Sequence, residues 1–215
     1  ALMSRGLGDV YKRQMLVDLH DGPFWMGRLM DAGAANFTTY LTASQIVPYP
    51  EELVQRPDTH PMSHLAGWIA DHGFASARIG YESDSYYFSP RALDCLRSSL
   101  PRAEFVDADL LVNWQRLVKS EAEIEMMRAA ARIAEATMQC AFDGARPGVR
   151  QCDLMAEVLA TQVRGTPQRG GDMAAIHPLI LAGEAATTAH PMWTDAPLAD
   201  GQTIAFELGG CMTVS

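Results

Sequence analysis

The chain has 215 residues, 48% hydrophobic and 20% charged, with a formal net charge of −9. That length holds one large or two small globular domains with real cores. The acidic balance argues against nucleic acid or an anionic membrane surface as partner, since both want a basic patch. No apolar run approaches the roughly 18 residues of a membrane span.

Residues 1–14 show neither hydrophobic periodicity nor capping logic. The run Asp9-Val-Tyr-Lys-Arg-Gln14 resembles a translated sequencing adapter, so 1–14 are set aside as non-native. Residues 15–20 alternate apolar and polar and then turn at Asp21-Gly22, which predicts a hairpin with Phe24-Trp25-Met26-Gly27 as the returning strand. Asp58-Thr59-His60-Pro61 predicts a helix start, with His60 as cap, proline at the first helical position and an end near Gly73. Leu65, Trp68 and Ile69 give that helix its apolar face. A strand over 77–82, a helix opened by Ser89-Pro90 through Leu93, Leu96 and Leu100, and a strand over 103–106 follow. Alternation of strands and helices at this spacing argues an α/β domain.

Lys119-Ser120 marks a boundary, giving domains 15–118 and 119–215. Ser120 and Glu123 form a capping box. Ile124, Met127, Ala131, Ala134, Met138 and Ala141 then recur at three- and four-residue steps, predicting a long amphipathic helix. Pro147-Gly148 turns the chain into a second helix carrying Leu154, Val158 and Val163. Beyond Arg164-Gly165 come short strands, with Gly170-Gly171 read as a turn. Helix, helix, then strands predicts an α+β second domain. The pairs of methionines, such as Met126-Met127, are expected in the core, and Trp25, Trp68 and Trp114 in core or domain packing.

The stretch 170–210 carries the chemistry. His190 sits on a small-residue loop, and a strand-like Thr-Ile-Ala-Phe run delivers the carboxylate of Glu207. Two proton-handling groups converging from different elements suit acid/base or nucleophilic work on a small polar substrate. Trp193 and Phe206 are candidates for an apolar wall around a small cyclic ligand, and Asp172 for a polar contact to it. The bland alternatives are a loop histidine bonded to backbone and a strand-end glutamate on a solvated face. His177 is read as structural. The four cysteines, Cys95, Cys140, Cys152 and Cys211, are scattered without a CxxC pair, which fits reduced thiols and a cytoplasmic protein.

From residue 15 onward the chain resembles the creatinase/aminopeptidase P superfamily. The motifs in the first domain are Tyr49-Pro50-Glu51, His60-Pro61-Met62, Gly80-Tyr81-Glu82 with Asp84, Tyr86-Tyr87-Phe88, and Leu111-Val112-Asn113-Trp114. In the second they are the box over 117–131, Arg164-Gly165-Thr166-Pro167, Gly170-Gly171-Asp172, Ala189-His190 with Trp193-Thr194-Asp195, and Phe206-Glu207-Leu208 with Gly210-Cys211. The likeness is to the ectoine-hydrolysing branch. Met173 and His177 depart from it, standing where an aromatic and a small apolar residue are expected.

The resemblance implies an α/β creatinase-type N-terminal domain followed by the first half of an α+β "pita-bread" catalytic domain. It implies a hydrolase that opens the cyclic amidine of a small zwitterion, with His190 as proton shuttle and Glu207 as nucleophile or base, working as a homodimer. Metal-dependent members carry an aspartate ligand at the position of Glu207, so no metal cofactor is expected here. Two other readings stay open: a metal-dependent Xaa-Pro peptidase, and a non-catalytic binding protein of the same fold. The chain is expected to be an inactive internal fragment of a longer enzyme.

Overall fold

In the computed structural model, which describes residues 2–4, 14–18, 21–85 and 88–213, strands β1 (Leu2–Ser4), β2 (Gln14–Val17), β3 (Pro23–Arg28) and β4 (Ile46–Tyr49) form one sheet in that order. Strands β1, β2 and β3 pair antiparallel, while β3 and β4 run parallel. The hairpin turns at Gly22, whose φ of +80 is a conformation glycine adopts without strain. The rest of 1–14, His20 and the Tyr86-Tyr87 pair lie outside the described residues.

Side-chain alternation along β3 decides what covers each face of this sheet. Met26 joins a core with Leu16, Tyr49, Met62, Leu65, Ile69, Ile79 and Leu96, whereas Trp25 joins Ala35, Leu41 and Ile46 on the opposite face. The first core is closed by α2 (Pro61–Asp71) and α3 (Pro90–Ser99), the second by α1 (Leu29–Thr38). Both α2 and α3 start as the sequence predicts. His60 Nδ1 accepts from Met62 N at 3.1 Å, and Ser89 Oγ accepts from Ala92 N at 3.3 Å, each with proline in the first turn. Strands β5 (Arg78–Tyr81) and β6 (Glu104–Asp107) pair in parallel through the α3 crossover. The short α4 (Leu111–Gln115) follows, and its Trp114 is exposed rather than packed.

Helix α1 and strand β4 are not legible in the sequence pattern. The N-cap of α1, Arg28, makes no side-chain cap bond. Instead Glu51 reaches over: its Oε1 accepts from Met30 N at 3.2 Å, while its Oε2 accepts from Arg28 Nη2 at 2.6 Å and Nε at 3.0 Å. The Arg28 guanidinium holds the Glu51 carboxyl below the usual carboxylate range. Asp107 is held low in the same sense, first by the Ser83 hydroxyl at 2.6 Å and then by Asp109 N.

The chain divides into two compact units, Ala1–Val118 and Lys119–Ser215. The second opens with α5 (Glu121–Gly144), capped by the reciprocal Ser120–Glu123 box. Its buried row is Ala129, Ile133, Thr137 and Ala141, a correction to the predicted stripe; Met127 is exposed and Met126 with it. A threonine is tolerated in that row because its Oγ1 donates to Ile133 O at 2.8 Å.

Helix α6 (Gln151–Arg164) packs Leu154, Met155 and Val158 with Ala141 and Ile180 in a core, leaving Val163 exposed. It ends at Gly165, φ +69. The turn after it is Thr166 to Arg169, not Gly170-Gly171. Gly171 is instead bridge-paired with Met212, and it lies so close to the Gln162 carbonyl that no Cβ fits. Gly171 thus serves close backbone approach. The unit ends in an antiparallel ribbon of β7 (Leu179–Ala182) and β8 (Ile204–Glu207). All four cysteines are free thiols.

Candidate active site

Strand β7 is buried along its whole length and runs into a single 3-10 segment, Gly183–Thr187. The loop that follows is anchored at both ends. Upstream, Thr188 N and Oγ1 both donate to Ala185 O. Downstream, residues 194–198 run alongside 148–152: Cys152 N donates to Thr194 O at 3.0 Å and Gln151 N to Ala196 O at 3.1 Å. The buried Gln151 side chain completes the seam, its Oε1 accepting from Thr194 N at 3.0 Å. Sequence reading missed Gln151; its only signal is an amide at the first helical position after Pro147-Gly148. Beside it the Arg150 guanidinium grips Asp153 at 2.7 and 2.8 Å, holding that carboxyl below its usual range.

His190 stands at the tip of this loop with φ +62, a left-handed conformation that costs a non-glycine residue energy and persists only where surroundings hold it. Glu207 closes β8 opposite Leu179. The structure brings these two together: His190 Nε2 lies 3.9 Å from Glu207 Oε2. Their side chains are 70% and 46% exposed, so both are open to an incoming molecule and their mutual attraction is screened by solvent.

The other expected site residues lie elsewhere. Along β8 the alternation puts Ile204 and Phe206 inward and Ala205 and Glu207 outward. Phe206 therefore packs on the Ala141–Leu154–Ile180 core, edge-on to Phe142 at 6.0 Å, and Trp193 packs on the same core. The expected apolar wall is a core contact, with Phe206 on the opposite strand face from Glu207. Asp172 is exposed; its Oδ1 accepts from Met173 N at 2.7 Å and its N donates to Cys211 O at 3.0 Å. Among the described residues no contact joins it to His190 or Glu207.

A metal centre needs three or more converging donors. Among the described residues no group of three His, Cys, Asp or Glu side chains is assembled to hold one. Among them His190 and Glu207 are brought together without a third such donor beside the pair.

Sequence comparison agrees with this architecture. The creatinase/prolidase N-terminal domain family matches residues 12–118, and metallopeptidase family M24 matches residues 125–214. The chain belongs to the proteins that join these two domains, and its second unit is the first part of a pita-bread fold. The ectoine hydrolase of Halomonas elongata is 39% identical over 91% of this chain and 51% of its own length. An uncharacterized hydrolase/peptidase, y4tM of Sinorhizobium fredii, is 39% identical over 89% of this chain and 49% of its own. The chain thus spans about half the length of the curated relatives it matches. Among solved structures, the X-Pro aminopeptidase of Thermotoga maritima superposes with a TM-score of 0.74 at 17% identity, covering 93% of this chain and 50% of that one. The prolidase of Pyrococcus furiosus gives 0.69 at 17% identity, covering 93% and 55%. At that identity the likeness concerns the fold.

Proposed function

We propose that the protein to which this chain belongs is a hydrolase of cyclic amidines, acting on ectoine or hydroxyectoine. The observation that carries the reading is the approach of His190 to Glu207 within 3.9 Å from two different elements, in a chain 39% identical to an ectoine hydrolase.

Ectoine is a zwitterion whose amidinium carbon sits between two nitrogens and is electrophilic. The Glu207 carboxylate pairs with that cation and either attacks the carbon or takes a proton from an attacking water. Addition forms the C–O bond as the C=N π electrons move onto nitrogen. The tetrahedral adduct then collapses, breaking one ring C–N bond as the departing nitrogen takes a proton from the His190 imidazolium. Where Glu207 itself has attacked, water then adds at the same carbon and releases the carboxylate. Water's oxygen ends as the acetyl carbonyl of an N-acetylated diaminobutyrate. His190 is suited to shuttle the proton because imidazole changes charge near neutral pH. A homodimer in the cytoplasm, with no metal required, belongs to the same reading. Glutamate at 207 in place of a metal-binding aspartate supports that independence. Among the described residues no helix is long and apolar enough to cross a membrane.

The test is ectoine turnover by the protein carrying a whole M24 domain, with and without EDTA, and NMR of the product. Chelator-resistant ring opening supports the proposal. Absence of ectoine turnover, together with metal-dependent cleavage of an Xaa-Pro dipeptide, would replace it with the peptidase reading, which the M24 family match favours.

A further inference from the structure

His177 and Met192 have no part in the chemistry described so far, yet they meet. His177 Nε2 lies 3.1 Å from Met192 Sδ. A thioether sulfur only accepts hydrogen bonds, so the imidazole is the donor and its Nε2 carries hydrogen. The contact ties the segment leading into β7 to the loop that presents His190.

That loop has little else to fix its tip. Its backbone anchors are Thr188 on one side and Thr194 with Ala196 on the other. Among the described residues no backbone hydrogen bond is made by residues 189–193. Within this span Trp193 is held by the core, and Met192 by His177. His190 meanwhile keeps a left-handed φ of +62, which needs an external hold. Two residues away, the His177–Met192 bond supplies one.

We propose that His177 is a positioning residue which, by donating to the Met192 thioether, sets where the His190 imidazole stands relative to Glu207. Its catalytic meaning rests on the reading of His190 as proton shuttle; its structural content does not.

The experiment uses the 215-residue chain with labelled histidine. Long-range proton–nitrogen spectra are expected to show His177 as the Nε2–H tautomer. The shift of the His190 Cε1–H signal produced by Glu207→Gln is expected to shrink about threefold or more in Met192→Leu and in His177→Leu. His177→Gln keeps an N–H donor and is expected to restore it. Met192→Leu conserves volume, so it tests the bond where His177→Leu fails to fold. An Nδ1–H tautomer at His177, or a Glu207→Gln effect unchanged in Met192→Leu, overturns the proposal. In the protein carrying a whole M24 domain, Met192→Leu is expected to lower kcat on ectoine roughly tenfold or more with KM nearly constant. A parent protein that never turns over ectoine refutes the substrate assignment, while the tautomer and shift readouts still decide the role of His177.

Discussion

His190 Nε2 and Glu207 Oε2 stand 3.9 Å apart, one at the tip of a loop and the other at the end of a strand. Groups that act as a unit are non-additive. Glu207→Gln and His190→Ala are therefore each expected to lower kcat on ectoine by roughly a hundred- to ten-thousandfold. The double variant should be little worse than the more damaging single one. Steady-state kinetics on the protein with a whole M24 domain, beside circular dichroism to verify folding, checks this; independent multiplication of the two losses would argue against a shared site.

Gly210 lies flat on α5. A Cβ there would collide with the Ala130 carbonyl and stand 2.7 Å from Ala134 N and 2.8 Å from Ala134 Cβ. Gly210→Ala should cost about 1–3 kcal/mol, the usual penalty of overpacking. The contrasting substitution is Gly33→Ala inside α1, where a Cβ meets nothing within 4 Å; it should stabilise by about 0.5–1 kcal/mol. Urea unfolding of both variants gives the two signs.

His60 caps α2 with Nδ1 and is 6% exposed. Replacing it with alanine strands the Met62 N–H at the start of a helix that lines the main core of the first unit, and should cost about 1–2 kcal/mol. Asparagine, which offers an acceptor at similar reach, should recover part of the loss in thermal melts. Equal melting temperatures for the alanine and parent proteins would mean the imidazole only fills space.

Glu51 gives the molecule an acid-sensitive joint. Its carboxyl is held below the ordinary value by Arg28 and Met30 N, so its contribution is present above an unfolded-state value of about 4.3 and lost as pH falls through the lower folded value. Glu51→Gln is expected to lower Tm at pH 7, with the gap to the parent protein narrowing below about pH 4. A gap of constant size across that range would show that the carboxylate charge is not what ties Glu51 to the start of α1.

Much of the fold is readable from local chemistry. The Asp21-Gly22 turn, the His60-Pro61 and Ser89-Pro90 starts and the Ser120 box are signals confined to a few neighbouring residues, and each marks an observed element. What escapes is whatever depends on a distant partner. Helix α1 exposes Phe37 and Met30 and borrows its cap from Glu51, 21 residues from Met30. The buried face of α5 is set partly by Met212, which packs with Ala129 and Ile133, and a polar Thr137 hides in that face by bonding its own helix. At the site, the sequence points to His190 and Glu207, but strand alternation alone already places Phe206 on the other face from Glu207. The His177–Met192 bond joins positions 15 apart and leaves no local trace.

The backbone at residue 190 sits at φ +62, a region where glycine is at ease and asparagine tolerable. Folding and chemistry therefore make opposite demands on one position. A library randomised at 190 and sorted only for resistance to heat or protease would enrich glycine and asparagine there and discard the imidazole. A sort on turnover would do the reverse.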